Sequence, residues 1–572
     1  MTFYKEENLM IGLTPEIMEK RFWLKSFDNY TKPTLNYPKY PAHEILHIIA
    51  TTNPDKAATD FYGTQITYWD LHLCATRMAN GLIEAGIKKG DRVGILLPNC
   101  PQMVISFWAI LQAGGIIVNL NPMYKPEELK GMVEKTGMTA LITFDGIMSG
   151  VQQLCQMVNI PFVMVTKLTD YINGMKVSTP EELGLSEGWH HFSQFLAQST
   201  NEAPPAIAFN VVEDAAILQF TGGTTGTPKA ATLTHRNLLA ALFTGNELGM
   251  PISQFIPIER RNIMGVLPCF HVFGEICGIA MSAITASTFI ILPRFDVDEF
   301  MATMERIPHV WFFPAVATML GAIVAHPRFK EINLAKKLSI INAGAAPCSL
   351  DLLKKARAMG LNIVEGWGMS ETTSVGITTP FFGVKKPLSI GLPYPDAEVK
   401  IINVETEEEM PLGEPGEILM KSPMVMKGYW NDPEETAKQL KDGWLHTGDI
   451  AYQDEDGYIF IVDRAKDLII AGGYNIYPQE IDNVLLQHPQ VIDSMTIGIP
   501  DEYRGETVKS FVQLMEGTTV NEADLIAYSR EHLAAYKAPR SIEIRNSLPR
   551  SATGKAMKRI LRDEELAKLM KS

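Results

Sequence analysis

A chain of 572 residues, 46% apolar and 20% charged with no long Ser, Gly or Pro tract, has the material for several packed domains and is not an intrinsically disordered protein. A formal net charge of −14 excludes a general nucleic-acid binder, which needs a basic face, but leaves room for a small anionic ligand held by local donors. The six cysteines (74, 100, 155, 269, 277 and 348) form no C-x-x-C pair and no Cys/His cluster. They read as buried small hydrophobes of a reducing compartment, with no thiolate-held metal expected.

The opening "MTFYKEENLMIG" lacks the basic and apolar regions of a secretory signal, so a cytoplasmic protein is expected. Short apolar runs then alternate with helical patterns. Strands are expected over residues 92–97, 116–120, 140–143, 162–165, 215–220, 263–267, 310–313, 338–342 and 363–366, with helices such as 69–85 and 352–359 between them. That alternation predicts an α/β fold of layered, mostly parallel sheets. Two uncharged stretches, 100–124 and 276–293, approach the length of a membrane span. Each divides more naturally into a helix and a buried strand, as a parallel sheet covered on both faces requires.

"QFTGGTTGTPKAATLTHRN", residues 219–237, places a Gly/Thr-rich loop after the strand 215–220 and before a helix that Thr234 can cap. Glycines allow close backbone approach and threonines add hydroxyl donors, which together suit phosphate. The stretch is not Walker A, because Lys229 follows Pro228 instead of a glycine. As a structural alternative it is a surface turn. Further on, "LPCFHVFG" (267–274) ends a strand in an aromatic segment, and His271 is assigned to a pocket wall, since no Ser/His/Asp triad or metal set accompanies it. The segments 270–273 and 311–316 are apolar, without Arg or Lys to grip a second carboxylate.

"EGWGMSETT" (365–373) offers Trp367 between two glycines for stacking a base, and Glu371 as a carboxylate for Mg2+. Structurally, Ser370 would cap a helix and Glu371 would favour its N-terminus. From about residue 392 the texture turns to short strands and turns, with "DEDG" signalling a hairpin. In "DGWLHTGD", Asp449 suits a ribose diol, or else it opens a hairpin. "VDRAKDLIIAGGYN" brings Arg464 and a Gly472–Gly473 pair to a domain boundary expected near 463–466, and "LPRSATGKAMKRIL" places Lys555 after Gly554 in what is otherwise a solvated basic tail.

The order and spacing of these motifs, together with "TYWDLHLCATRMANGL" and "KGDRVGILLPNCPQ", resemble the adenylate-forming superfamily over nearly the whole chain. Within it the chain is most similar to medium- and long-chain fatty acyl-CoA synthetases. The cues are "FWLKSFDNY…NYPKYPAHEIL", "GGIIVNLNPMY" and "TGGTTG". The resemblance implies an N-terminal AMP-binding domain over 1–463, with a β-rich subdomain over 392–463, and a small mobile α+β domain over 464–572. It implies an AMP-forming acid–thiol ligase using ATP, Mg2+ and coenzyme A, acting on a fatty acid. An aryl acid substrate, a carrier-protein acceptor, luciferase-type chemistry and non-catalytic binding stay open as alternatives, as do a homodimer and a peripheral membrane contact.

By position, the resemblance assigns Thr221, Gly222, Gly223, Thr224, Thr225, Gly226 and Lys229 to the phosphate loop, with Lys229 and Thr225 catalytic. Gly344, Ala345 and Ala346 fall on the adenine side, bordered by Glu365, Gly366, Trp367, Gly368 and Met369. Ser370 lies by the α-phosphate, Glu371 holds Mg2+, and Asp449 and Arg464 meet the ribose. Lys555 is the adenylating lysine, Lys466 the hinge, and Gly472 and Gly473 line the CoA channel. Phe270, His271, Phe273 and Val316 line the acyl pocket. The chain departs from the common pattern at Gly222 (for Ser) and at Ala230, Ala345 and Asp396 (each for Gly). Ala345 is expected to narrow a pocket floor.

Overall fold

The computed structural model describes residues 20–172, 177–221, 228–464, 467–471, 474–501, 504–551 and 555–569. Successive strand residues point to opposite faces, and that alternation sorts the apolar residues into layers. On the strand Asn262–Gly265, Ile263 enters the central core and Met264 an outer one. On Ala215–Thr221, Ile217 enters the same central core and Leu218 a second outer one.

Among the described residues the two large sheets have nine and eight strands, parallel through their centres, with antiparallel strands at both edges of the first and at one edge of the second. The helices Tyr68–Glu84, Pro101–Gln112 and His235–Phe255 fill the core between them. Pro101–Gln112 is buried all round from Pro101 to Leu111, which explains its uncharged sequence. Val297–Arg306, Ala317–Ala325 and Leu350–Ala358 cover the outer face of the nine-stranded sheet, and Pro126–Thr136 and Met148–Met157 cover that of the eight-stranded one.

Both uncharged runs resolve as helix plus strand: Pro101–Gln112 leads into Ile116–Asn119, and the π-helix Glu275–Ala280 with Met281–Ile284 leads into Thr288–Ile291. No helix of the described residues is long and apolar enough to cross a membrane. The helix expected to be capped by Thr234 begins at His235 with that cap, but the residues before it, Lys229–Thr234, form an unexpected strand antiparallel to Ala215–Thr221. In "KAATLT" the period of two is present but muted: Ala230 faces the outer core, Ala231 and Leu233 the central one, and alanine carries little β signal.

The strands Glu398–Ile402, Gly416–Lys421, Trp444–Gln453 and Ile459–Arg464 form an antiparallel sheet of their own, with Leu440–Lys441. The segment 20–43 straps it to the body. Trp23 is buried against Leu392 and Tyr458, and a Cβ on Gly457 would meet Trp23 Cβ at 2.3 Å, so that turn requires glycine. Asp396 Oδ2 accepts from Leu35 N at 2.9 Å and from Tyr37 Oη at 2.7 Å, while its backbone takes φ 60°. The aspartate that stands for glycine thus brings a carboxylate that anchors the strap. Sheet membership changes between Arg464 and Ile469. The last sheet comprises Ile469–Ala471, Tyr474–Ile476, Val491–Asp501, Gly505–Leu514 and Ser541–Ile544, packed by Pro478–Leu485, Glu522–His532 and Lys558–Leu569.

Candidate functional site

The parallel strands Leu338–Ala343 and Ile363–Trp367 end side by side, with Ala343 opposite Glu365. Ligand crevices of α/β proteins form at such carboxyl ends. Gly344 continues the first strand by bonding Ala315 O at 3.1 Å, and Ala345 then turns at φ 64°, a conformation that explains why glycine is usual there. Ala345 is exposed at the crevice and Ala346 half-buried. After Trp367 the chain folds back so tightly that a Cβ on Gly368 would lie 1.9 Å from Ser374 O. Thr373 and Ser374 take φ 53° and 79°. This return buries Ser370 and Glu371 at the end of the sheet. Ser370 opens a single 3-10 turn whose cap is Met369, so it is not the helix cap of the structural alternative.

Trp367 is more than a bare face. Its indole Nε1 donates to Asp449 Oδ2 at 2.8 Å, and Arg464 Nε pairs with Asp449 Oδ1 at 3.2 Å. Asp449 lies within the strand Trp444–Gln453, directly opposite Arg464, so it does not open a hairpin. Burial raises the Glu371 carboxyl above its usual range, opposed by the bond from Tyr429 Oη to Oε1 at 2.8 Å and by the charges of Lys555 and Arg464. A divalent cation would relieve that desolvation, and a single carboxylate with waters is how Mg2+ is commonly held at nucleotide sites. No group of three or more His, Cys, Asp or Glu side chains suited to a metal occurs among the described residues. Glu365, also buried, is pushed up to about 7 by burial, with Arg357 opposing, and its Oε2 has no hydrogen-bond partner.

Beside this floor lies a narrow, open cavity. Gly344, Ala345, Gly366, Trp367, Gly368 and Met369 line one part. His271, Phe273, Cys277, Ser374 and Tyr394 line another. His271 Nδ1 accepts from Phe273 N at 3.3 Å. Burial, then the Lys555 charge, hold its pKa down at about 4, so it is a neutral wall residue. Phe273 and Ala345 both line this cavity. Phe270 and Val316 do not line it. Gln219 Nε2 bonds the Phe270 carbonyl at 3.4 Å, and Val316 packs in the outer core because it precedes the helix Ala317–Ala325 on the far face of the sheet.

Thr221 ends its strand opposite Lys229, whose ammonium pairs with Glu435. Lys555 reaches the site from the last unit of the chain, near enough that its charge acts on both His271 and Glu371. Gly222, Gly223, Thr224, Thr225, Gly226, Lys466, Gly472 and Gly473 lie outside the described residues. Sequence reasoning missed Tyr429, Glu435, Cys277, Ser374 and Tyr394. The run "KGYWNDPEET" holds the first two, but nothing local in it points to Glu371 or Lys229.

The profile of the AMP-binding enzymes matches residues 46–430, and that of the AMP-binding enzyme C-terminal domain matches 480–555. A long-chain-fatty-acid–CoA ligase of Bacillus subtilis is 36% identical over 553 residues, covering 95% of this chain and 98% of the relative. An anthranilate CoA ligase solved with anthranoyl-AMP superposes with TM-score 0.82 at 25% identity, covering 93% of this chain and 99% of that one. The o-succinylbenzoate coenzyme A synthetase of Bacillus subtilis, solved with ATP and magnesium ion, gives TM-score 0.76 at 28% identity, covering 92% and 99%.

Proposed function

The chain belongs to the AMP-binding enzymes, and from that premise we propose that it activates a medium- or long-chain fatty acid with ATP and passes the acyl group to coenzyme A. It is an adenylate-forming acid–thiol ligase that uses ATP. The acid, the acceptor and the residue roles are the proposal. One observation carries it: at the carboxyl end of the nine-stranded sheet the buried Glu371 carboxylate, bonded by Tyr429, lies on the same backbone return as Trp367, whose indole is tied to the Asp449–Arg464 pair.

In the first half-reaction a carboxylate oxygen attacks the α-phosphorus in line, forming the acyl–phosphate bond as the bond to pyrophosphate breaks. Negative charge gathers on the reacting oxygens, so donors and cations placed for that charge do the catalysis. Lys555 supplies a compact charge to the carboxylate and α-phosphate. Lys229 and the hydroxyls of the loop from Thr221, Thr225 among them, hold the departing pyrophosphate. Gly344, Ala345, Ala346, Glu365, Gly366, Trp367, Gly368 and Met369 border the adenine, Ser370 the α-phosphate, and Asp449 with Arg464 the ribose. Glu371 would hold Mg2+, which neutralises polyphosphate charge when bound. His271 and Phe273 form part of the acyl wall. In the second half-reaction the CoA thiolate attacks the acyl carbon and AMP leaves. The division at 463–464, a rotation at Lys466 and a channel along Gly472 and Gly473 are proposed to bring this about.

An aryl acid is the second reading, favoured by the polar side chains Cys277, Ser374 and Tyr394 on the cavity wall and by the likeness to the anthranilate ligase. Pyrophosphate release and acyl-CoA formation across a panel of short to long fatty acids and aryl acids test both. Turnover peaking at eight or more carbons is expected. A peak at aryl acids replaces the first reading by the second, and no acid-dependent pyrophosphate release overturns both.

A further inference from the structure

The ammonium of Lys229 is already engaged by protein groups. It pairs with Glu435 and lies 5.2 Å from the centre of the Tyr429 ring. Neither partner is a loose surface group. Tyr429 belongs to the strand Gly428–Tyr429, which pairs with Lys229–Thr234, and its hydroxyl donates to Glu371 at 2.8 Å. Glu435 sits in the first turn of Pro433–Gln439, its N–H bonded to the capping Asp432 at 3.2 Å and its Oε1 bonded by Lys438 Nζ at 2.7 Å. The Lys229 and Glu435 side chains are only 19% and 29% exposed, so water screens the pair incompletely.

A carboxylate that neutralises this lysine opposes its use on phosphate, because the two anions compete for one charge. We propose that Glu435 is a positioning residue that competes with the polyphosphate for Lys229, weakening the hold on pyrophosphate and so speeding its release. This rests on the reading that Lys229 serves the β,γ-phosphates. ATP must displace Glu435 to gain the lysine, and Glu435 recovers it as pyrophosphate departs. The apparent affinity of the site is reduced by the fraction of enzyme in which Lys229 is held.

The test is calorimetric titration of the full-length enzyme with magnesium pyrophosphate, using wild type, Glu435→Gln, Lys229→Met and the double variant. Glu435→Gln is expected to bind about two- to fivefold more tightly, the size of one partly exposed ion pair. Its KM for ATP should fall in step, with no gain in kcat. In the Lys229→Met background the same change should have no effect, an outcome a merely structural glutamate does not give. Unchanged or weaker binding in Glu435→Gln, or equal tightening without Lys229, overturns the inference. Acid-dependent exchange of pyrophosphate into ATP by the wild type separates the two levels: its absence removes the underlying reading, while its presence with an unresponsive Glu435→Gln removes this inference alone.

Discussion

Glu365, Ser370 and Glu371 at the end of the nine-stranded sheet are 7%, 8% and 6% exposed, held by parallel strand pairing and a tight return of the backbone. Lys555, on the last unit of the chain, is exposed and held locally by a bond from Ser551 N to its carbonyl at 2.9 Å. The two regions meet at one site but are built oppositely. The groups proposed to border the nucleotide are set in a core that tolerates little change. Lys555, proposed to serve one half-reaction, stands instead on an exposed surface of the last unit.

The strongest way to break that contrast is Lys555→Ala. Loss of one such donor is worth about 2.7–4 kcal/mol in comparable sites, so adenylation should fall about 10²–10³-fold. Thioester formation from supplied acyl-AMP should change only a few-fold. Equal loss in both half-reactions would make Lys555 as integral as the floor.

The floor itself can be probed by pH. Glu365 has its folded pKa raised to about 7 from 4.5, so the folded protein holds the proton more tightly than the unfolded chain. Its contribution to stability is full below pH 4.5 and is lost as the pH rises through 7. Glu365→Gln should therefore leave stability unchanged at pH 4.5 and raise it at pH 8 by up to ~3 kcal/mol, since one pKa unit is about 1.4 kcal/mol. Thermal melts at the two pH values decide. A gain that does not depend on pH would show that burial of the charge is not what strains this residue.

Asp396→Ala removes the carboxylate that anchors the strap while leaving the site untouched. A loss of about 2 kcal/mol in unfolding free energy is expected, with KM for ATP unchanged. A rise in KM without destabilisation would tie the strap to the nucleotide instead. The smallest effect should come from Asp449→Asn. It weakens the pairing with Arg464 but keeps a side chain able to accept from the Trp367 indole, so KM for ATP should rise about tenfold with kcat little changed. A fall in kcat alone would place Asp449 in the chemical step.

Much of this was legible in the chain. The strands at 116–120, 140–143, 162–165 and 310–313 needed only a short apolar run between turn residues, because both faces of each are covered. Lys229–Thr234 was missed because Ala230 and Ala231 fill positions of close packing without β-branched bulk. Val316 was placed in the pocket because an apolar residue near a strand end looks the same on either face of a sheet. Tyr429 and Glu435 escaped notice because their partners lie 58 and 206 residues away, beyond any local pattern.

The sequence by itself determined the layered α/β plan and the presence of the Gly/Thr-rich stretch, the carboxylates at 365 and 371 and the basic residue after Gly554, since periodicity and residue type are local properties. Only the tertiary structure decided which of these groups meet and what each pays for meeting. The elevated carboxyls of Glu365 and Glu371, the neutral His271 and the lysine held by Glu435 all arise from desolvation and from charges far apart in the chain, and those are set by packing alone.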